Sequence, residues 1–160
     1  MSDPGLVVGS PVGPLALVED DGGLAEIRFD ADPAALGGRP TPLLGLVARQ
    51  LQEYFTGERR VFDLPLRPRG TEFQSRVWEA VGRVPWGTTT TYGDVAHALG
   101  LAAGSARAVG AANGANPLPI VVPCHRVVGG DGTLTGYAGG LPRKEALLRL
   151  EGLGPQDPLF

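Results

Sequence analysis

The chain has 160 residues, 14 basic and 17 acidic side chains, a formal net charge of −3, one cysteine and two histidines. One thiol cannot close an intramolecular disulfide, and one Cys with two His is too few for a Cys/His structural zinc site, which excludes a disulfide-stapled secreted domain and a zinc-built fold. Gly and Pro form a quarter of the residues, but 42% hydrophobic residues argue for loops and tight turns over disorder.

Met1-Ser2-Asp3-Pro4-Gly5 has no basic or apolar segment of a signal peptide. The uncharged stretch 108–125 contains Pro117, Pro119 and Pro123, which a membrane span would hardly carry. A cytoplasmic, reducing setting is therefore expected. Residues 15–18 and 24–29 read as two strands, with Asp20-Asp21-Gly22-Gly23 as hairpin-turn chemistry between them. Residues 43–55 fit a helix with Leu43, Leu44, Val47, Leu51 and Phe55 on one face, stopped by Gly57. Residues 61–64 read as a further strand ended by Pro65, and 67–70 as a linker.

Thr71 and Gln74 form a capping box that opens a helix whose apolar face is Phe73, Val77, Ala80, Val81 and Val84. After Pro85-Trp86-Gly87 and a β-branched run at 88–91, residues 93–99 read as a short helix closed by Gly100. Ser105 is expected to cap a second short helix that runs to about residue 112. Two short helices joined by a Gly-containing turn are the helix-turn-helix pattern, a weak signal by itself. The last helix has Pro142 near its start and Gly152 past its end, with Glu145 and Arg149 as an i,i+4 pair. The expected domains are 1–69, a sheet with a helix, and 70–160, mostly helical. Charge divides the same way: 7 basic and 10 acidic residues in 1–69, against 7 and 6 in 70–155. Residues 95–130 hold no acid but include Arg107 and Arg126, so any polyanion contact is expected in the second half; on charge alone the favoured reading is the blander one, that a Gly/Ala-rich stretch carries few charges of either sign.

The chemistry concentrates in Pro119-Ile120-Val121-Val122-Pro123-Cys124-His125-Arg126-Val127-Val128. Residues 120–122 read as a buried strand that delivers Cys124 between two prolines. A thiol is a good nucleophile only as thiolate, and an adjacent imidazole or guanidinium lowers its pKa, although sequence neighbours need not point the same way. A lone cytosolic Cys is more often an inert core residue. Taken singly, Glu151 reads as a helix-end acid, Arg107 as a surface charge, Asn116 as turn chemistry and Tyr92 equally as a core aromatic.

Pro123-Cys124-His125-Arg126-Val127 resembles the active-site motif of the O6-alkylguanine-DNA alkyltransferases. The likeness extends over 73–152: Phe73-Gln74-Ser75-Arg76-Val77-Trp78, Val84-Pro85-Trp86-Gly87 with Thr91-Tyr92, Ala106-Arg107-Ala108-Val109-Gly110, Asn116-Pro117-Leu118-Pro119, Gly136-Tyr137-Ala138-Gly139-Gly140-Leu141, and Lys144-Glu145-Ala146-Leu147-Leu148 to Glu151-Gly152. Residues 51–66 match loosely, and the first forty only in outline. The resemblance implies an α/β (α+β) fold, with a ribonuclease H-like N-terminal domain and a C-terminal domain carrying a helix-turn-helix. It implies direct repair of double-stranded DNA. An O6-alkylguanine (and, by extension, an O4-alkylthymine) is flipped out, and its alkyl group passes irreversibly to Cys124, once per molecule. The expected protein is a monomer without cofactor, metal or membrane partner.

The resemblance also implies roles. Cys124 is the nucleophile, His125 reaches it through a water as base, and Glu151 holds the other ring nitrogen. Asn116 braces the turn, and Tyr92 donates to the base and presses on the flipped nucleotide's phosphate. The carbonyls of Cys124 and Val127 accept from the guanine amine, and Pro119 and Tyr137 wall the pocket. Arg107 takes the place of the extruded base, on a helix whose small residues, Ala106 and Gly110 among them, follow Ser105 into the minor groove. Ala138 stands where some members have Ser, which leaves only its backbone N–H for the alkylated oxygen. The rival classes are a binding-only alkyltransferase-like protein, which has another residue at the cysteine position, a turning-over Cys-His hydrolase, and a helix-turn-helix regulator.

Overall fold

The computed structural model describes residues 5–32, 34, 40–131, 134 and 136–153; the readings made on residues 1–4 lie outside that set. The chain separates into two compact units, Met1–Arg69 and Gly70–Phe160. Among the described residues no helix is long and apolar enough to cross a membrane.

In the first unit, strands β1 (Gly5–Val8), β2 (Leu15–Asp20) and β3 (Gly23–Arg28) form an antiparallel sheet in that order. Asp21 (φ 51°) and Gly22 (φ 76°) both sit in the left-handed region, as a two-residue hairpin that matches strand twist requires. Leu15 and Leu17 of β2 and Leu24 and Ile27 of β3 are buried, as are Leu44, Val47, Leu51 and Tyr54 of helix α1 (Pro42–Phe55). Thr41 caps α1 by accepting from Leu44 N, and Gly57 (φ 85°) follows its end.

The strand expected at residues 61–64 does not form. Val61 is 75% exposed, and the backbone of Asp63 exchanges hydrogen bonds with the Gln50 side chain, N to Oε1 at 3.0 Å and Nε2 to O at 3.1 Å. With its donor and acceptor satisfied locally, that segment has no need of a ladder. Pairing is limited to a single parallel bridge between Leu66 and Leu24. Strand β1 was not expected.

The second unit begins at a steric constraint. A Cβ on Gly70 would lie 2.3 Å from the Trp78 ring, so only glycine fits there. Helix α2 (Glu72–Gly82) opens with both halves of the Thr71/Gln74 capping box and buries Val77, Trp78 and Val81. Strands β4 (Thr90–Thr91) and β5 (Val127–Val128) form a short parallel pair. Helices α3 (Tyr92–Ala98) and α4 (Ala106–Gly114) are joined by a turn with Gly100 (φ 70°) and Gly104 (φ 91°). Thr91 caps α3. Ser105 makes no cap bond to α4: its own backbone is already helical (φ −78°, ψ −4°), whereas a capping oxygen is normally presented from an extended residue. Trp78 Nε1 donates to the Ala112 carbonyl at 2.7 Å and so ties α2 to α4. Helix α5 (Leu141–Leu150) ends in a Schellman arrangement, with Gly152 N on Arg149 O and Leu153 N on Leu148 O, which leaves Glu151 as its C-cap.

Candidate active site

Cys124 is not carried by a strand. Residues 120–122 form turns, Ile120 has a left-handed φ of 76°, and Cys124 opens a 3-10 turn, Cys124–Arg126, with β5 following it. The β-branched run resembles a strand, but Pro117, Pro119 and Pro123 remove the donors a ladder needs. Side chains replace the ladder. Asn116 accepts from Leu118 N at 3.0 Å and donates Nδ2 to Val122 O at 2.9 Å, and Cys124 N reaches Val122 O at 2.7 Å. Asn113 of α4 donates Nδ2 to Cys124 O at 3.3 Å. Backbone strain at a β-branched residue is a feature of sites whose surroundings over-determine one geometry.

The thiol is 4% exposed. Burial pushes its pKa above the ordinary thiol value; the Asn116 amide, the Lys144 charge, its own backbone and the Tyr137 hydroxyl, in that order, pull it back. Cys124 is therefore a thiol at rest. The guanidinium next door in sequence is directed elsewhere, onto Glu151.

His125 and Glu151 are fully buried, with Nε2 and Oε2 2.7 Å apart. His125 Nδ1 is buried and has no hydrogen-bond partner among the described residues. Burial lowers the imidazole pKa, against the upward pull of Glu151. Arg126 grips the same carboxylate, Nε to Oε1 at 2.8 Å and Nη2 to Oε2 at 2.9 Å, and Gly87 N approaches Oε1 at 3.4 Å. Cys124, His125, Asn116 and Glu151 thus meet at one turn.

Two residues at the site escaped the sequence reading. Asn113 is one. The other is Lys144 on α5, 0% exposed, whose Nζ donates to Val127 O at 2.7 Å and whose charge is felt at Cys124. Burial lowers its pKa to about 8. A signal for it was present: every other basic residue is Arg, and Lys144 is the only lysine in the chain. Lysine is the cation whose pKa shifts readily on burial, and the two are not interchangeable.

Pro119 and Val127 are buried, Tyr137 is half-buried and Ala138 is exposed. The Tyr92 ring, at the start of α3, lies on α4: a Cβ at Gly110 would sit 3.6 Å from it. Helix α4 turns Val109, Ala112 and Asn113 inward and Arg107, Ala108, Ala111 and Gly114 outward. Arg107 makes no hydrogen bond or ion pair to a described residue. Ala106 and Ser105 are half-buried at the head of that helix.

A buried thiol, imidazole and carboxylate, hydrogen-bonded to a helix-turn-helix through Asn113, define a nucleophile-bearing domain of DNA-binding architecture. Residues 72–153 match the family described as 6-O-methylguanine DNA methyltransferase, DNA binding domain, and residues 7–68 its ribonuclease-like domain. The methylated-DNA–protein-cysteine methyltransferase of Mycobacterium tuberculosis is 47% identical over 148 residues, covering 90% of this chain and 89% of that protein. The one from Methanosarcina acetivorans is 46% identical, covering 89% and 94%. Among solved structures, the O6-methylguanine methyltransferase of M. tuberculosis superposes with a TM-score of 0.81 at 45% identity, covering 96% of each chain. A complex of the M. tuberculosis protein with DNA gives 0.82 at 46%, covering 92% and 91%. The chain belongs to the methylated-DNA–protein-cysteine methyltransferase family.

Proposed function

We propose that this chain repairs DNA directly, by taking an alkyl group from the O6 of guanine in a duplex onto Cys124, once per molecule. The observation that carries the reading is the Cys124 turn: a shielded thiol beside a histidine whose Nε2 is bonded to Glu151 and whose Nδ1 is uncommitted. An O6-alkyl carbon is an SN2 centre, so it needs a soft anionic nucleophile and a proton for the departing guanine. In this reading His125 takes the thiol proton as attack begins, and Lys144 supplies the positive charge beside the sulfur that burial would otherwise deny the thiolate. Asn116 keeps the sulfur aimed by holding the turn from both ends. A thioether has no ready leaving path, which makes the protein a stoichiometric reagent.

The outward face of α4 suits a groove. Ala108, Ala111 and Gly114 let the backbone come close, and Arg107 is available to fill the place of an extruded base, which offsets an unstacking cost of a few kcal/mol. Tyr92, packed on α4 at Gly110, presses on the flipped nucleotide, and Pro119, Tyr137 and Ala138 border its pocket. O4-alkylthymine presents the same electrophile in a smaller ring and is a second substrate. The protein acts as a cytoplasmic monomer without a cofactor.

Intact-mass measurement after mixing with O6-methylguanine duplex tests the reading. One methyl group on Cys124 per molecule, with no turnover, is expected; an unmodified thiol, or release of product with the thiol regenerated, overturns it. Arg107→Ala is expected to slow repair in duplex DNA by at least tenfold while leaving reaction with free O6-benzylguanine nearly unchanged, since only the former needs the base held out. Equal losses on both would remove Arg107 from the flipping step.

A further inference from the structure

No step of the proposed transfer consumes Arg126, yet its guanidinium is 5% exposed and engaged on three sides: both oxygens of Glu151, and Val84 O at 2.7 Å. Glu151 is the C-cap of α5, where the helix dipole presents its negative end and an anion is poorly placed. A buried carboxylate there, left without a cation, draws a proton onto its nearest base, and that base is His125 at 2.7 Å. With Arg126 clamped in bidentate fashion the charge is already balanced.

We propose that Arg126 is a positioning residue for the transfer: it holds Glu151 as a balanced carboxylate, so that His125 rests neutral, with its proton on Nε2 and its Nδ1 free to accept the Cys124 proton through a water. The assignment rests on the alkyl-transfer reading. The carboxylate has acceptors only, so the shared hydrogen belongs to Nε2 and the lone pair to Nδ1. Burial acts in the same sense on the imidazole, Glu151 opposes it, and the charges of Arg126 and Lys144 add to it. Beyond Glu151 and Arg126, the charge felt at His125 is that of Lys144 on α5, and the thiol of Cys124 is its neighbour on the same turn; on α2, which also packs against the turn, Glu72, Arg76, Glu79 and Arg83 are exposed. The step balances. The Cys124 S–H proton passes through a bridging water to Nδ1, which has no protein partner of its own among the described residues, the sulfur pair forms the S–C bond, the C–O6 pair stays with guanine, and guanine takes the proton from Nδ1. His125 ends neutral and the Arg126–Glu151 pair is unchanged.

The test has two arms. In the wild-type protein, nitrogen NMR of the His125 ring from pH 6 to 8 is expected to show one protonated nitrogen, Nε2, and one bare nitrogen, Nδ1. A doubly protonated ring at pH 7 overturns the proposal, whether or not the protein transfers alkyl groups. The second arm is the pH dependence of the transfer rate with O6-methylguanine duplex. Arg126→Gln is expected to move the acid limb to higher pH by about one unit, a tenfold loss at a fixed pH on that limb. Arg126→Lys, which keeps the charge, is expected to hold the limb near its wild-type position. A purely structural Arg126 would lower the rate evenly at all pH values with the limb unmoved, and that result also overturns the proposal. If wild type takes no alkyl group, the functional reading falls while the NMR arm still decides the state of His125.

Discussion

Cys124→Ser is expected to abolish alkyl transfer while leaving affinity for lesion-bearing duplex within a few-fold. A serine hydroxyl is far less acidic than a thiol, and His125, its basicity lowered by burial, cannot deprotonate it to a useful extent. The turn has no reason to change. Its backbone bonds run from Cys124 N to Val122 O, from Asn113 Nδ2 and Val127 N to Cys124 O, and from Asn116 to Val122 O, and the side-chain bonds that Asn116 and Tyr137 make to the sulfur can be made to a serine oxygen as well. The measurement is methyl transfer from labelled duplex beside equilibrium binding of the same duplex. Residual transfer by the serine protein would remove Cys124 as acceptor. Loss of binding in step with transfer would mean that the sulfur also holds the turn.

Glu151→Ala is expected to be the most damaging substitution for stability at the site. It leaves the Arg126 guanidinium buried and unpaired, a defect of about 3–5 kcal/mol. At about 2–4 °C per kcal/mol for a chain of this size, the thermal midpoint should fall by roughly 6–20 °C. The source of that loss is the stranded cation, so the double variant Glu151→Ala/Arg126→Met should recover part of it. Thermal unfolding of the wild type, the two single variants and the double variant decides. A double variant that loses the sum of the two single effects would show that the pair is not the origin.

Local grammar made much of the architecture legible in the sequence. The Thr71/Gln74 box, the Asp21-Gly22 turn, the Pro142 and Gly152 signals and the two short helices α3 and α4 are encoded within a few residues, and such signals survive folding. Where tertiary partners decide, the pattern misleads. Residues 120–122 and 61–64 are rich enough in β-branched and aromatic residues to suggest strands, but Asn116 and Gln50 reach across and take the backbone bonds a ladder would have made. Strand β1 is four residues between Pro4 and Gly9, too short for an alternating pattern to register.

At the site, Cys124, His125 and Glu151 were legible only as an ordered set, because each alone has a commoner bland role. Arg126 was visible two residues after the thiol, but sequence spacing could not name its partner: in the 3-10 turn it reaches, together with His125, the Glu151 carboxylate at the end of α5. Lys144 sits in an amphipathic helix among Arg143, Glu145 and Arg149, where a lysine ordinarily faces water.

That lysine leaves the protein with an unusual outer chemistry. Every Lys or Arg side chain but one is a guanidinium, and the single side-chain amine lies at 0% exposure. Reagents that acylate or cross-link amines find no side chain to attack on the folded chain, and a protease that cuts after lysine finds no site. The first such modification of Lys144 therefore times the moment α5 lifts from the Val127 carbonyl, which makes one residue a chemical clock for the opening of the site.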